Sequence, residues 1–313
     1  MKEELQTKKS ITLIYKGIEI VKYNSVSFRL FLLVLIAFIF APQNSFAYDD
    51  QTTHPAITAE MVDSFNSFTA DKISALHKSF VVKGSMDEDY PETTSLNHFF
   101  DPLQNIGFYG YRSSKDWATN KSLVINSFTW SKSVQYYAEG NLEMAFLGLG
   151  HILHLIEDLG VPDHTRNDPH PGVLWMNASP YENWAKIKNA NTLHGLAGSY
   201  SKIDILFYGD LSQYFDYLAL YSNNNFVSAN TIDPVPGAFE YKKPEILRWD
   251  GSYTYGIDNL AGDQHPIYRK FINPDSRLME KVIITDNDTS IVSDYFVRLS
   301  DQLIPLVPVE VMF

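Results

Sequence analysis

Hydrophobic residues recur at helical spacing in several segments of the chain. Between residues 53 and 68 the apolar positions Ile57, Met61 and Phe65 lie four residues apart, which predicts an amphipathic helix. The clearest pattern covers residues 141–159, which begin with a capping asparagine and are followed by a glycine. The same spacing predicts further helices over residues 71–82, 113–139, 180–188, 204–221 and 289–303.

Strand-like alternation of polar and apolar residues is scarce. Residues 227–268 are rich in Pro, Gly, Asn and Asp, and residues 84–103 are polar with two prolines, so both segments are predicted to be loops. No internal repeat or low-complexity linker divides the chain. We therefore predict an all-α, single-domain, multi-helix fold over residues 48–313.

The first 47 residues have the pattern of a secretory signal peptide. The apolar run LFLLVLIAFIFA follows Arg29, and the small-residue sequence SFA ends at Ala47. The run is shorter than the roughly 20 residues that a membrane-spanning helix needs. We expect cleavage after Ala47, a mature chain that begins at Tyr48, and export to the periplasm or the medium. The alternative is an uncleaved membrane anchor.

Composition narrows the chemistry that the chain can perform. The hydrophobic content of 45% and aromatic content of 14% indicate a globular protein with a packed core. A net charge of −12 disfavours binding to nucleic acid. Because the chain has no cysteine, disulfides and thiolate ligands are excluded, and any metal site must use His, Asp and Glu.

The segment GHILHLIEDLGVPDH, residues 150–164, concentrates such residues at the end of the clearest helix. His154 and Asp158 lie four residues apart and share one helix face, and His164 follows Asp158 by six residues. Imidazole and carboxylate are good zinc ligands, and a carboxylate can bridge two ions. The alternative is a buried helical His–Asp pair without a metal.

This spacing resembles the signature of the zinc-dependent phospholipases C, whose superfamily also contains single-strand-specific nucleases. Three more segments resemble motifs of that family, namely THPAITAEMV with His54, NHFFDP with His98 and PYENW with Glu182. The family also has an aspartate five residues after a glycine. Gly84 places it at Asp89, with Asp87 as the second candidate.

The resemblance implies a multi-zinc cleft in an all-α fold, and phosphodiester hydrolysis by a water between two zinc ions. Asp158 would bridge these ions, and Asp89 would be both a ligand and a general base. The substrate would be a phospholipid or another phosphodiester, with transient contact to a membrane surface possible. The metal ligands implied by the resemblance are Tyr48 through its backbone, His54, Asp89, His98, His154, Asp158, His164 and Glu182.

One departure from the family pattern concerns the third zinc ion. The family has another histidine four residues before the final glutamate, where this chain has Ala178. Two zinc ions are therefore expected, and a third would need a replacement ligand such as His170 or, less favourably, His194. We expect His151 to be a packed histidine and Glu157 to face solvent.

Two alternatives to a phospholipase C-like enzyme remain open at the level of sequence. A nuclease of the same superfamily would carry Asp at position 182 and usually disulfides, and this chain has neither. A non-catalytic exported protein that binds metal or lipid is the other alternative, favoured by Ala178. The sequence determines neither the head-group preference nor the oligomeric state.

Overall fold

Nine α-helices and one four-stranded antiparallel sheet make up the regular structure of the described residues. The computed structural model describes residues 49–123, 125–170, 178–188, 210–233, 238–283 and 289–306, all within the unit Asn44–Phe313. The helices are α1 Thr53–Phe68, α2 Ala75–Asp87, α3 Ser114–Thr119, α4 Trp130–Ala138, α5 Leu142–Glu157, α6 Pro162–Thr165, α7 Pro180–Lys188, α8 Leu211–Asn225 and α9 Ser290–Leu303. Short 3-10 turns occupy Glu92–Asn97, Phe108–Gly110, Asp158–Gly160 and Ala229–Thr231.

Helix α5 lies at the centre of the helical part. Asn141 caps it by accepting a hydrogen bond from the Met144 amide, as the sequence predicts. From Ala145 to its end every residue except Leu147 is buried, because α1, α2, α3, α4 and α8 all contact this helix. Beyond its first turn the helix therefore has no continuous solvent face.

Two glycines bring α2 and α5 into backbone contact. A Cβ atom on Gly150 would lie 2.7 Å from the Ser85 amide nitrogen and 2.9 Å from the Gly84 Cα atom. Only glycine fits at so close an approach. The result is that the Ser85 carbonyl lies within hydrogen-bonding distance of His154 on α5.

The predicted bounds of α1 and α7 are confirmed, and those of other helices are shifted. Helix α2 begins four residues later than predicted, because Ser74 caps it and Asn66 binds both backbone groups of Ile73. It also continues to Asp87, inside a segment predicted to be a loop. Helix α8 begins behind the capping Asp210 and continues four residues beyond the predicted end, whereas residues 204–209 of the predicted helix lie outside the described residues.

The predicted long helix over residues 113–139 is wrong, since it is divided into α3 and α4. Between them Asn126 donates a hydrogen bond to the Trp117 carbonyl at 2.9 Å and accepts one from the Phe128 amide. The Asn126 side chain thus satisfies backbone groups that a continuous helix would pair internally.

The all-α prediction is also wrong in part, because the segment expected to form long loops, residues 227–268, and the residues that follow it contain strands. The strands are β1 Ile246–Trp249, β2 Tyr253–Ile257, β3 Gln264–Ile272 and β4 Met279–Val282, in the order β1-β2-β3-β4. Strand β3 packs on α9, where the Tyr295 hydroxyl donates to the Ile267 carbonyl at 2.6 Å. The described fold is therefore mainly helical with one antiparallel sheet.

The described helices are short relative to a lipid bilayer. The longest, α1 and α5, have 16 residues each. Within the described part of the chain, none combines the length and the apolar character required to span a membrane.

Candidate metal centre

Three groups of buried His, Asp and Glu side chains have the composition and proximity of metal-binding groups. In each group one ligand atom per residue lies within 4.8 Å of the others. The groups are His54, Asp89 and His154; His98, His154 and Asp158; and His164, His170 and Glu182. His154 belongs to both of the first two, so these form one continuous cluster.

Asp158 lies at the middle of this cluster and is completely buried. Its Oδ1 atom is 3.3 Å from His54 Nε2, and its Oδ2 atom is 2.9 Å from His98 Nδ1 and 3.6 Å from His154 Nε2. His164 Nδ1 lies 3.9 Å from the same Oδ2. The carboxylate therefore has imidazole neighbours on both oxygens, as a bridging ligand requires.

Short local structures bring the remaining residues to α5. His54 stands in the first turn of α1, where the Asp49 carbonyl accepts hydrogen bonds from the Thr53 and His54 amides. Asp89 follows the end of α2, and His98 follows the 3-10 turn Glu92–Asn97. The carbonyl of His164 then accepts a hydrogen bond from the Phe100 amide, which ties the His98 segment to α6.

Hydrogen bonds to one ring nitrogen fix the orientation of several histidines. His154 Nδ1 donates to the Ser85 carbonyl at 2.6 Å, so the neutral ring has its lone pair on Nε2. His164 Nδ1 likewise donates to the His98 carbonyl at 3.3 Å. His54 Nδ1 lies 2.6 Å from Glu157 Oε2. Such outer partners set the tautomer and orientation of metal-ligating histidines.

The third group is built from α6, α7 and the segment between them. His170 Nε2 lies 3.0 Å from Glu182 Oε1, and His164 Nε2 lies 3.5 Å from the same oxygen. His170 Nδ1 donates to the Asp168 carbonyl at 2.7 Å, which directs Nε2 toward Glu182. Phe99 stacks on the His164 ring with the centroids 4.3 Å apart, and this closes one side of the group.

Charges within the cluster strongly shift the pKa values of its histidines. Burial would lower the pKa of His54, but hydrogen bonds and charges of Asp158 and Glu157 outweigh it and raise that pKa to about 10. For His98, Asp158 and Asp89 likewise overcome burial and raise the pKa to about 9. Burial and the neighbouring His54 instead hold the pKa of His154 well below its usual value. The cluster therefore combines cationic rings with a neutral one.

Two acidic groups of the cluster are shifted in opposite directions. Burial raises the pKa of Asp89 to about 7, although His98 opposes the shift. Burial would also raise the pKa of Asp158, but the surrounding histidines outweigh it and hold that pKa well below the usual range. Asp158 is thus a permanent carboxylate, whereas Asp89 can take up and release a proton near neutral pH.

The third group has its own ion pair. Burial would lower the pKa of His170, but Glu182 outweighs it and raises that pKa to about 10. Burial would raise the pKa of Glu182, but His170 outweighs it and lowers that pKa to about 2.

The structure brings together the sequence-predicted residues that it describes. His54, Asp89, His98, His154, Asp158, His164 and Glu182 all occur in the three groups, and His170 joins the third. Asp87 does not, because its half-exposed side chain pairs with Lys83 on the surface of α2. Tyr48 and His194 lie outside the described residues.

Two buried glutamates near the groups escaped the sequence reasoning. Glu157 was predicted to face solvent, and this prediction is wrong, because its side chain is fully buried against His54. Glu88 binds His151 and accepts a hydrogen bond from Trp117 Nε1 at 2.9 Å. His151 is therefore a packed histidine, as expected. In the sequence Glu88 directly precedes Asp89, and Glu157 directly precedes Asp158. This adjacency to predicted ligands is the sequence signal that could have identified both glutamates.

Comparison with known proteins gives structural similarity without sequence matches. No family model matches the chain, and no curated protein matches its sequence. The chain is structurally similar to the alpha toxin from Clostridium absonum, with a TM-score of 0.41 and 19% identity. It is also similar to a Clostridium perfringens alpha-toxin from avian strain SWCP, with a TM-score of 0.38 and 16% identity.

Each similarity covers 56% of this chain, which spans about half the length of the two toxin chains, 53% and 52%.

Proposed function

We propose that the protein is an exported, zinc-dependent phosphodiester hydrolase of the phospholipase C type. The observation that carries the proposal is the environment of His154. Its Nδ1–H is committed to the Ser85 carbonyl, so Nε2 presents a lone pair. That atom is buried without a hydrogen-bond partner, 3.7 Å from Asp89 Oδ1 and 3.6 Å from Asp158 Oδ2. Buried acceptors facing one another are unfavourable unless a cation lies between them.

The spacing of these atoms suits zinc. Two ligand atoms about 2.1 Å from a tetrahedral zinc ion lie about 3.4 Å apart. The distances of 3.3–3.7 Å that join Asp158 and Asp89 to His54 and His154 are close to this value. The ligand set of imidazole and carboxylate, without thiolate, also suits zinc.

The negative charge of the site gives the metal ions a second role, which is to attract the anionic substrate. Asp89, Asp158 and Glu182 would repel an anionic phosphodiester, so substrate binding requires added positive charge. Zinc ions bound here would supply that charge and an activated water for attack on phosphorus. Asp158 holds the two adjacent groups together, and Asp89 can accept a proton near neutral pH.

The third group favours an enzyme over a binding protein that lacks the third zinc. His170 supplies the third group with an imidazole, which Ala178 cannot do, and its Nε2 atom lies 3.0 Å from Glu182 Oε1. With His164 the group offers three protein ligands, which leaves a tetrahedral ion one position for substrate or water. We therefore propose three zinc ions, where the sequence supports only two.

Export and backbone ligation by Tyr48 are parts of the same proposal. Asp49, the residue after the predicted terminus, pairs with Lys186 on α7 at 2.6 Å and holds the first turn of α1. Both helices carry residues of the groups. This position supports a mature terminus close to the metals.

The test is to express residues 48–313 with a native Tyr48 terminus and to count bound zinc. Phosphatidylcholine, a chromogenic phosphodiester and single-stranded DNA are then assayed in parallel. Asp158→Asn should abolish hydrolysis and lower the zinc content, whereas the matched control Asp87→Asn should change neither. Undiminished activity of Asp158→Asn would refute the proposed metal bridge.

Two other outcomes of the assays would indicate a different class of protein. Hydrolysis of DNA alone would indicate a nuclease. Zinc binding without hydrolysis of any of the three substrates would indicate a metal-binding protein.

A further inference from the structure

Glu157 makes two short hydrogen bonds at the end of α5, where no solvent reaches it. Its Oε2 atom lies 2.6 Å from His54 Nδ1, and its Oε1 atom accepts a hydrogen bond from Thr58 Oγ1, also at 2.6 Å. All three residues have no exposed surface. His54 and Thr58 are four residues apart on α1 and share one face of that helix. Glu157 therefore links α5 to α1 through the candidate ligand His54.

Consecutive acids contact the two edges of the His54 ring. Glu157 faces Nδ1, and Asp158 faces Nε2 at 3.3 Å. The ring also stacks on His154, with the centroids 3.7 Å apart and the planes at 14°. The ring orientation is thus fixed on one edge and one face independently of a metal ion.

We propose that Glu157 is a positioning residue for the metal centre and that Thr58 orients its carboxylate. By accepting the Nδ1–H of His54, Glu157 directs the Nε2 lone pair toward Asp158 and Asp89. A carboxylate partner also makes the imidazole a stronger donor to a cation. This inference rests on the proposed zinc function and adds an outer residue that contacts neither the metal nor the substrate.

Glu157 also changes the charge of the centre. Together with Asp89 and Asp158, Glu157 places three carboxylates in or beside the first two groups, at the ends of α2 and α5. Two zinc ions carry a charge of +4, so each carboxylate retained nearby lowers the energy of binding a second cation. Replacing Glu157 by glutamine keeps the shape of the side chain but removes this charge and one of the two acceptor oxygens that face His54 and Thr58.

The test measures zinc affinity by chelator competition on residues 48–313 with the native Tyr48 terminus, with the visible spectrum of the cobalt-substituted protein as a second readout. Glu157→Gln should weaken zinc binding about 10- to 100-fold and alter the cobalt spectrum. Thr58→Val should give a smaller loss in the same direction, and Thr58→Ser, which restores the hydroxyl, should recover wild-type affinity. If Glu157→Gln does not fold, the two Thr58 variants decide alone.

The matched control is Asp258→Asn, which makes the same carboxylate-to-amide change at another fully buried acid. Asp258 accepts hydrogen bonds from Tyr221 and Arg298 and belongs to none of the three groups. It should lower stability without changing zinc affinity. Wild-type affinity and an unchanged cobalt spectrum in Glu157→Gln and Thr58→Val would overturn the positioning role and leave the zinc proposal intact. A wild-type chain that binds no zinc would overturn both.

Discussion

Replacing Gly150 by alanine should separate α5 from α2 and impair the metal centre without touching any ligand. The new Cβ atom would lie 2.7 Å from the Ser85 amide nitrogen and 2.9 Å from the Gly84 Cα atom, where ordinary contact begins near 3.4 Å. The Val81 carbonyl oxygen would be closer still, and all three neighbours are backbone atoms of α2, so no side-chain rotation relieves the overlap. The helices must move apart by roughly 1 Å to restore normal packing distances.

Two opposing terms set the change in stability. Alanine in place of glycine favours a helix by about 1 kcal/mol. Overpacking in a filled core costs about 1–3 kcal/mol, and backbone neighbours place this site toward the upper end. The free energy of unfolding should therefore fall by about 1–2 kcal/mol, which lowers Tm by roughly 2–8 °C in a protein of this size.

The displacement has a specific consequence for His154. Its Nδ1–Ser85 carbonyl bond of 2.6 Å would lengthen to beyond 3.5 Å, and His154 belongs to two metal groups. Loss of such an outer hydrogen bond typically weakens metal binding about 10-fold or more. Urea unfolding and chelator competition measure the two effects separately.

Gly148→Ala is the matched control on the same helix. Its Cβ would meet Ser133 and Phe128 side chains on the opposite side of α5, so stability should fall while zinc affinity is retained. A Gly150→Ala protein that is as stable as wild type and binds zinc equally well would refute this account of the α2–α5 contact.

Three further predictions concern the ions themselves. Zinc must displace the protons that His54, His98 and His170 hold at pH 7, where their pKa values are about 10, 9 and 10. Calorimetry in buffers of different ionisation enthalpy should therefore show that zinc binding releases about three protons. The zinc affinity of each site should also rise up to ~10-fold per pH unit from pH 7 to 9. A zinc affinity that does not depend on pH would contradict these ionisation states. His170→Ala should lower the zinc content by one ion per chain, whereas Ala178→His in that background should restore it, both by elemental analysis. Zinc at 100 times Kd should raise Tm by roughly 5–10 °C per bound ion through about 2.7 kcal/mol of binding energy, and EDTA should reverse the shift.

Helix α5 shows which features of the structure the pattern of hydrophobic and polar residues predicts. Its start follows from the Asn141 cap, although it ends two residues earlier than predicted, and the spacing of His154 and Asp158 places both on one face. The direction of Glu157 does not follow, because an amphipathic interpretation assumes that one side of the helix meets water. Surrounding helices cover α5 beyond its first turn, and only their assembly decides that Glu157 is buried against α1.

The four-stranded sheet shows a second limit of prediction from the sequence pattern. Three of the four strands have only four or five residues, and register shifts interrupt the pairing of β1 with β2 and of β2 with β3. A bulge inverts the alternation of inward and outward side chains, which removes the periodic signal of a strand. β1 is moreover exposed along its whole length, so burial leaves no pattern in its sequence.

By itself the sequence determines which side chains can ligate a metal and which of them share a helix turn. The chain has no cysteine, so the candidates are His, Asp and Glu, and helical periodicity pairs His154 with Asp158. Distances between separate segments depend on how the helices pack. Tertiary structure alone places His170 against Glu182 and Glu157 against His54, because these pairs join elements whose relative positions no local periodicity specifies.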